Sequence, residues 1–282
     1  MASQSYSLFC MGNPLLDMQV TNGEELLKKY DLKANDAILA EEKHTPIYDE
    51  LVEKYRLHTL REVPRKTRLA EQRSARYSNS VANSLLTNDE LAVQLKAANK
   101  REGLDEVYLV KKGEKTGACA VVITDHNRSL VTTLRAAEKF EKEHLSSPQV
   151  AKLIDAAKVF YVEGYFLTHG IESALDVSKK ASETGRVFVL NLSAPFIPQF
   201  FAVQLQQIMP YCDVIIGNES EAEAWASATG QPDKTDLASI AKAIASQPKS
   251  NASRPARSSS RMARSPQRSS LPPILRTRRH TP

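Results

Sequence analysis

Cysteine is scarce in this chain, with three in 282 residues, at positions 10, 119 and 212. An odd number without a C-x-x-C pair gives no disulfide framework, and each lies in or beside an apolar run, where a free cysteine acts as a small core hydrophobe. The six histidines, at 44, 58, 126, 144, 169 and 280, stand singly, so zinc-ligand spacing is missing too. Apolar runs are strand-sized, far short of the ~20 residues of a membrane helix, and no membrane partner is expected. The opening MASQSYSLFCMG has no basic stretch leading into a long apolar run and no small-residue cleavage site. A cytoplasmic location is expected, with the nucleus left open. Two nucleotide signatures are also absent. GEKTG at 113–117 lacks the G-x-x-x-x-G-K-[ST] order, and no G-x-G-x-x-G occurs. A Walker nucleotidase and a dinucleotide-binding enzyme are both unsupported.

The charge is unevenly placed. From Lys249 to Pro282 there are one Lys, eight Arg and no acid, so this tail holds +9 and the first 248 residues hold −4 of a net +5. The tail, 249–282, is rich in Ser, Arg and Pro without apolar periodicity and reads as disordered. Its arginines would bind nucleic-acid backbones non-specifically and with strong salt dependence. No aromatic platform interleaves with them, so nucleic acid is not the expected partner.

Between 158 and 246, apolar runs alternate with amphipathic ones. KVFYVEG, GRVFVLNLS and DVIIG read as strands; GIESALDVSKKASE, PQFFAVQLQQIM, NESEAEAWASA and DLASIAKAIAS read as helices. In the first of these helices, Ile171, Ala174, Leu175, Ser178 and Ala181 share one stripe. Continuous apolar strands separated by helices predict a parallel sheet covered on both faces, an α/β body. Earlier, SLFCMGNPLLDMQV begins with a strand, while DEVYLV, GACAVVIT and RSLVTTL are short and broken by KKGEKTG and TDHN, which predicts an antiparallel sheet or flap able to cover a pocket. The stretch LREVPRKTRLAEQRSARYSNSVANS, 60–84, nearly lacks large aliphatic residues and reads as foreign to this core, with at most a weak helix around Arg65–Arg73.

Several motifs admit two readings. In VIIGNESEAE, Asn218 and Glu221 have capping-box spacing at the start of a helix. The same oxygens could hold a hydrated Mg²⁺ bridging nucleotide phosphates. GNPLLD is a turn by its Gly-Asn-Pro chemistry, or a place where Asp17 accepts ligand hydroxyls. DHNRSL is a hairpin tip with Arg128 solvated. Tyr165 and Phe166 in EGYFLTH are core, or an aromatic face for a planar base.

Taken in order, LFCMGNPLLDM, LKANDAILAEEKH, TGACAVVITDHNRSLVTTLRAAE, FYVEGYFLTHGIES, VLNLSAPFIPQF and MPYCDVIIGNESEAEAWA resemble the ribokinase-like (phosphofructokinase-B) family of carbohydrate and nucleoside kinases, its adenosine-phosphorylating members above all. The resemblance covers most of 6–59 and 91–248. It implies a three-layer α/β/α body with a small β-sheet lid, the lid drawn from roughly 13–40 and 107–133, within an incomplete kinase domain over 1–248. It implies adenosine and ATP as partners, Mg²⁺ as cofactor, AMP as product and a monomeric state. Asn13 and Asp17 would contact the nucleoside, Asp17 through the ribose hydroxyls; Leu15, Leu130, Leu134 and Phe166 would line the base pocket. Arg128 on the lid would approach the phosphates, and Asn218 with Glu221 would organise the metal. A Gly-Gly motif followed by Gln-Asn has no counterpart, its place being taken by the Arg/Ser-rich segment of roughly 60–90. A D-T-x-G-A-G-D segment, the family's source of the general base and anion-hole amides, has none either. The expectation is a body lacking its C-terminal part and an impaired or inactive kinase, since a base alone contributes roughly 10²- to 10⁴-fold. The alternative is a catalytically dead nucleoside-binding fragment.

Overall fold

The computed structural model describes residues 8–54, 80–101, 103–250 and 261–262. In chain order the first half has β1 (Leu8–Met11), β2 (Leu15–Thr21), α1 (Glu24–Lys29), β3 (Ala37–Leu39), α2 (Pro46–Lys54), β4 (Ser80–Leu86), α3 (Glu90–Arg101), β5 (Asp105–Val110), β6 (Gly117–Thr124) and β7 (Asn127–Thr133). There follow α4 (Pro148–Ala156), β8 (Val159–Glu163), α5 (Ile171–Glu183), β9 (Val187–Asn191), α6 (Phe196–Phe200), α7 (Ala202–Ile208), β10 (Val214–Gly217), α8 (Glu219–Ala228), α9 (Leu237–Ala245) and β11 (Arg261–Met262).

Seven of these strands form one sheet in the order β11-β10-β9-β8-β1-β4-β5, and every pairing in it is parallel. Helical crossovers are what such pairing requires, and the continuous apolar runs predicted it. Phe9, Phe160, Phe188 and Leu190 are fully buried at its centre, and the Phe9 and Phe160 rings meet at 5.9 Å. Burial of each such side chain stabilises the fold by about 1.5–3 kcal/mol. On α5, Ala174, Ser178 and Ala181 are buried while Ile171 and Leu175 pack only partly, so small residues set the close approach of this helix. Cys10, Cys119 and Cys212 are all buried, and desolvation pushes the Cys10 thiol up to about 12.

The second sheet has the order β2-β6-β7-β3. Only β6 and β7 are antiparallel, around a two-residue turn at Asp125 and His126; β2 with β6 and β3 with β7 run parallel. One face, carrying Met18, Val20, Ala118, Ala120, Val122 and Val131, packs on Leu26, Tyr30, Ile47, Tyr48 and Leu51 from α1 and α2.

Four expectations are corrected. DEVYLV is β5, an edge strand of the large sheet and not part of the flap; the exposed Asp105 at its start suits an edge. Within the stretch read as foreign, Ser80–Leu86 is an interior strand between β1 and β5, because ladder hydrogen bonds come from the backbone whatever the side chains. PQFFAVQLQQIM gives two short helices, broken at Phe201, whose φ of −117° and ψ of 32° leave the helical region. In the tail, Arg261 and Met262 pair with Ile216 and Gly217, completing an edge that β10 would otherwise present. Residues 55–79, which include the weak helix around Arg65–Arg73, and the rest of the tail beyond Ser250 lie outside the described residues.

Candidate functional site

In a parallel sheet, ligands bind beyond the carboxyl ends of the strands where the strand order reverses. Here the chain runs outward from β1 through β4 and β5 on one side, and from β8 through β9 and β10 on the other, so the reversal lies between β1 and β8. Gly12 and Asn13 follow β1 there, and Glu163 ends β8 beside them. A Cβ on Gly12 would stand 2.5 Å from Glu163 Oε2, so a larger residue would oblige the Glu163 carboxylate to move. The Asn13 amide donates to Glu163 Oε2 at 3.4 Å.

The line of polar groups continues along the sheet. Asn191, at the end of β9, accepts the Ser193 amide at 2.9 Å and donates through Nδ2 to Tyr161 Oη at 3.0 Å. Ser193 Oγ in turn accepts the Gly164 amide at 2.9 Å, and this network holds Ser193 in the left-handed region at a φ of 68°. Beyond β10 come Asn218 and Glu221. Asn218 caps α8, its Oδ1 accepting the Glu221 amide at 2.8 Å, while its own amide and Nδ2 donate to the Glu221 carboxylate at 3.0 and 2.9 Å. The capping-box reading therefore holds. Glu221 is only 5% exposed, and its negative charge sits favourably at the helix amino terminus.

His169 was missed by the sequence reading. Its Nε2 lies 3.0 Å from Asn13 Oδ1, and its ring stands edge-on to Phe166 at 5.0 Å. Burial lowers its pKa to about 4, so the ring is neutral at physiological pH. Because the unfolded ring takes up its proton near 6.5, stability falls as pH drops from there toward about 4. Phe166 itself is fully buried, its ring also meeting Phe140 at 5.4 Å, so it stands within the core in this structure.

On the smaller sheet the register gathers several sequence candidates. Arg128, Leu130 and Thr132 recur with period two along β7, and Leu134 follows just beyond its end. Asp17 on β2 pairs with Cys119 on β6, and Cys119 pairs with Thr132 on β7, so these three share a row on the face turned away from α1 and α2. Leu15 shares that face two residues earlier. Thr132 Oγ1 donates to Cys119 Sγ at 3.3 Å. Arg128 is exposed near the hairpin tip, apart from this row. Cys119 and Thr132 were also missed, since only cross-strand register reveals them.

The smaller sheet is fixed to the body twice. Three residues, Gly12 to Pro14, join β1 to β2. Farther on, Thr116 at the start of β6 donates its amide and hydroxyl to Asp89 at 2.7 and 2.6 Å, and Thr87 Oγ1 meets Thr116 Oγ1 at 2.7 Å. Asp89 also accepts the Ala92 amide of α3 at 2.9 Å. Burial alone would raise the Asp89 pKa, but the donors Thr116, Ala92 and Thr87 outweigh it and hold the carboxyl below its ordinary value.

A parallel α/β sheet with a switch-point crevice, joined to a small mixed sheet bearing polar groups, defines the class. Comparison with known proteins places the chain within it. The profile of the pfkB family carbohydrate kinases matches residues 74–255. The chain is 61% identical over 248 residues to an adenosine kinase of Schizophyllum commune, covering 86% of this chain and 71% of that protein, and 38% identical over 244 residues to one of Schizosaccharomyces pombe with the same coverage. The crystal structure of Anopheles gambiae adenosine kinase in complex with P1,P4-di(adenosine-5) tetraphosphate superposes with a TM-score of 0.80 at 42% identity, over 88% of this chain and 74% of that one. Adenosine kinase from Schistosoma mansoni in complex with adenosine gives 0.78 at 30% identity, over 87% and 72%. The chain belongs to the pfkB family of carbohydrate kinases and has its ribokinase-like α/β fold. Among the described residues no helix is long and apolar enough to cross a membrane, and no cluster of three or more His, Cys, Asp or Glu side chains forms a metal-binding group.

Proposed function

We propose that this chain binds adenosine at the switch point and transfers the γ-phosphoryl group of ATP to its 5′-hydroxyl, giving AMP. The observation that carries the reading is the placement of Asn13 at the carboxyl end of β1, a three-residue joint from the strand bearing Leu15 and Asp17. The bound adenosine compounds of the Anopheles and Schistosoma enzymes support it. In this reading Asp17 accepts the ribose hydroxyls, Leu15, Leu130, Leu134 and Phe166 enclose the base, and the smaller sheet acts as a lid. Phe166 is covered in the present structure, so its ring would meet a base only after Phe140 or His169 shifts. Arg128, exposed on the lid, neutralises phosphate charge.

Asn218 and Glu221 lie three strand spacings from β1, roughly 14 Å away across the sheet, a span suited to a nucleoside followed by phosphates. Their fit to Mg²⁺ is an outer one. Every Glu221 oxygen already takes an N–H from Asn218, so the pair would hold the ion through its own water shell, as Mg²⁺ readily permits. When bound, the ion would screen the charge on the phosphates. Phosphoryl transfer asks mainly for positioning and charge stabilisation, which these residues can supply.

A second reading is nucleoside binding without transfer. It is favoured because the residues gathered at the crevice serve nucleoside and metal, and none of them is expected to act as the base for the 5′-hydroxyl. AMP formation from adenosine and MgATP by the purified chain tests both. Turnover that Glu221→Ala weakens, with a raised Mg²⁺ requirement, is the result the first reading expects. Saturable adenosine binding in calorimetry without AMP would select the second; no binding would overturn both.

A further inference from the structure

Asn13 is held from two directions by groups that follow or end one strand. Glu163, the last residue of β8, takes its backbone amide, and His169, six residues on, reaches its side chain. An amide oxygen can only accept, so the hydrogen bond at 3.0 Å puts the proton of the neutral imidazole on Nε2 and leaves Nδ1 with its lone pair. With Oδ1 engaged, Nδ2 is left as a donor, and among the described residues it is a buried group with no hydrogen-bond partner; His169 Nδ1 is another. A buried unmatched donor is costly, and one kept in a fold calls for an explanation such as a catalytic or binding role or a bound water or ion. This one stands at the strand-order reversal, under the sheet that carries Asp17.

The ring of His169 is fixed as well. It packs edge-on against Phe166, and Gly170 lies against the same phenyl ring, with which any Cβ would collide. A turn of the His169 ring would therefore change its contacts with both Asn13 and Phe166.

We propose that Glu163 and His169 form a clamp that positions Asn13 so that its Nδ2 donates to an acceptor atom of the nucleoside when the lid opens to admit it. The inference rests on the nucleoside reading above. His169 is here a positioning residue, acting only through Asn13.

Calorimetry with adenosine on the full 282-residue chain tests the clamp. His169→Phe keeps an aromatic ring against Phe166 and removes the donor, and should weaken adenosine binding roughly tenfold, the size of one lost hydrogen bond. His169→Gln, which retains an N–H donor, should return affinity to within about threefold of the parent. Asn13→Ala should cost about as much as His169→Phe, and the double variant should lose little more, because the two act through one group. A purely structural histidine would instead give additive losses and no rescue by glutamine, and that result overturns the clamp. Imidazole ¹⁵N spectra of the ligand-free chain provide an independent check, since a proton found on Nδ1 overturns it whatever the calorimetry shows. A parent chain that binds adenosine as well as His169→Phe does sinks the clamp alone. A parent chain that binds no adenosine sinks the nucleoside reading and the clamp with it.

Discussion

The two sheets bury apolar surface in opposite ways. The large sheet is parallel throughout, and its core of Phe9, Phe160, Phe188 and Leu190 draws on strands brought together by helical crossovers. The smaller sheet buries one face on α1 and α2, and its other face carries the row of Asp17, Cys119 and Thr132, of which only Asp17 is partly exposed. The first is a scaffold whose side chains mostly answer to packing. In the second, β6 is buried from both sides, and the more open side chains of the face away from α1 and α2, Asp17 and Leu130 among them, lie on the flanking strands β2 and β7.

Removal of a core ring should show the difference most strongly. Phe188→Ala, at a fully buried position of β9, should cost about 3–5 kcal/mol and abolish cooperative unfolding of the whole chain in a denaturant titration. Leu51→Ala, equally buried under the smaller sheet, should cost about 2–5 kcal/mol but act locally. Amide exchange would then quicken in β2, β6 and β7 while β8 and β9 keep their protection. If both variants quickened exchange everywhere, the two sheets would be one cooperative unit and the contrast would fail.

The clasp between them comes next. Asp89→Ala leaves the buried Thr116 amide without its acceptor and should cost roughly 1–3 kcal/mol. Because the native Asp89 carboxyl ionises below its ordinary value of 3.8, its contribution is fully present above that pH and lost as pH falls through the lower native value. The difference in stability between parent and variant should therefore shrink only in that acid range, which parallel denaturation curves at several pH values will show. The smallest effect belongs to the helix cap. Asn218→Ala should destabilise by about 1 kcal/mol, through the lost bond to the Glu221 amide, and calorimetric melting would register it.

The large sheet was the more legible in the sequence because its strands are continuous apolar runs, a signal that survives without any knowledge of neighbours. Val159–Glu163, Val187–Asn191 and Val214–Gly217 all lie where those runs stand. Ser80–Leu86 was missed because SVANSLL, with Ser and Asn among its seven residues, is not a continuous apolar run. The pairing of the smaller sheet was hidden for a different reason. Its parallel contacts, β2 with β6 and β3 with β7, join segments about a hundred residues apart, whereas turn signals speak only for neighbours such as β6 and β7.

The candidate site divides in the same way. Asn218 and Glu221 could be found from spacing, since a capping box is local, Asp17 was one of two readings of GNPLLD, and the roles of Asn13 and Arg128 came from family resemblance. Glu163 and His169 had no local signature at all. A single acid and a single histidine at the end of a strand gain meaning only when the fold sets them against Asn13.

The joint between β1 and β2 has a mechanical consequence. Two of its three residues are restrained by separate causes, Asn13 by the proline that follows and by its amide's bond to Glu163, and Pro14 by its own ring. A stiff joint makes β2 the anchored jaw of the crevice, so Leu15 and Asp17 keep their place relative to Asn13. Any opening movement of the smaller sheet would then be largest on its far side, where β7 carries Leu130 and Arg128.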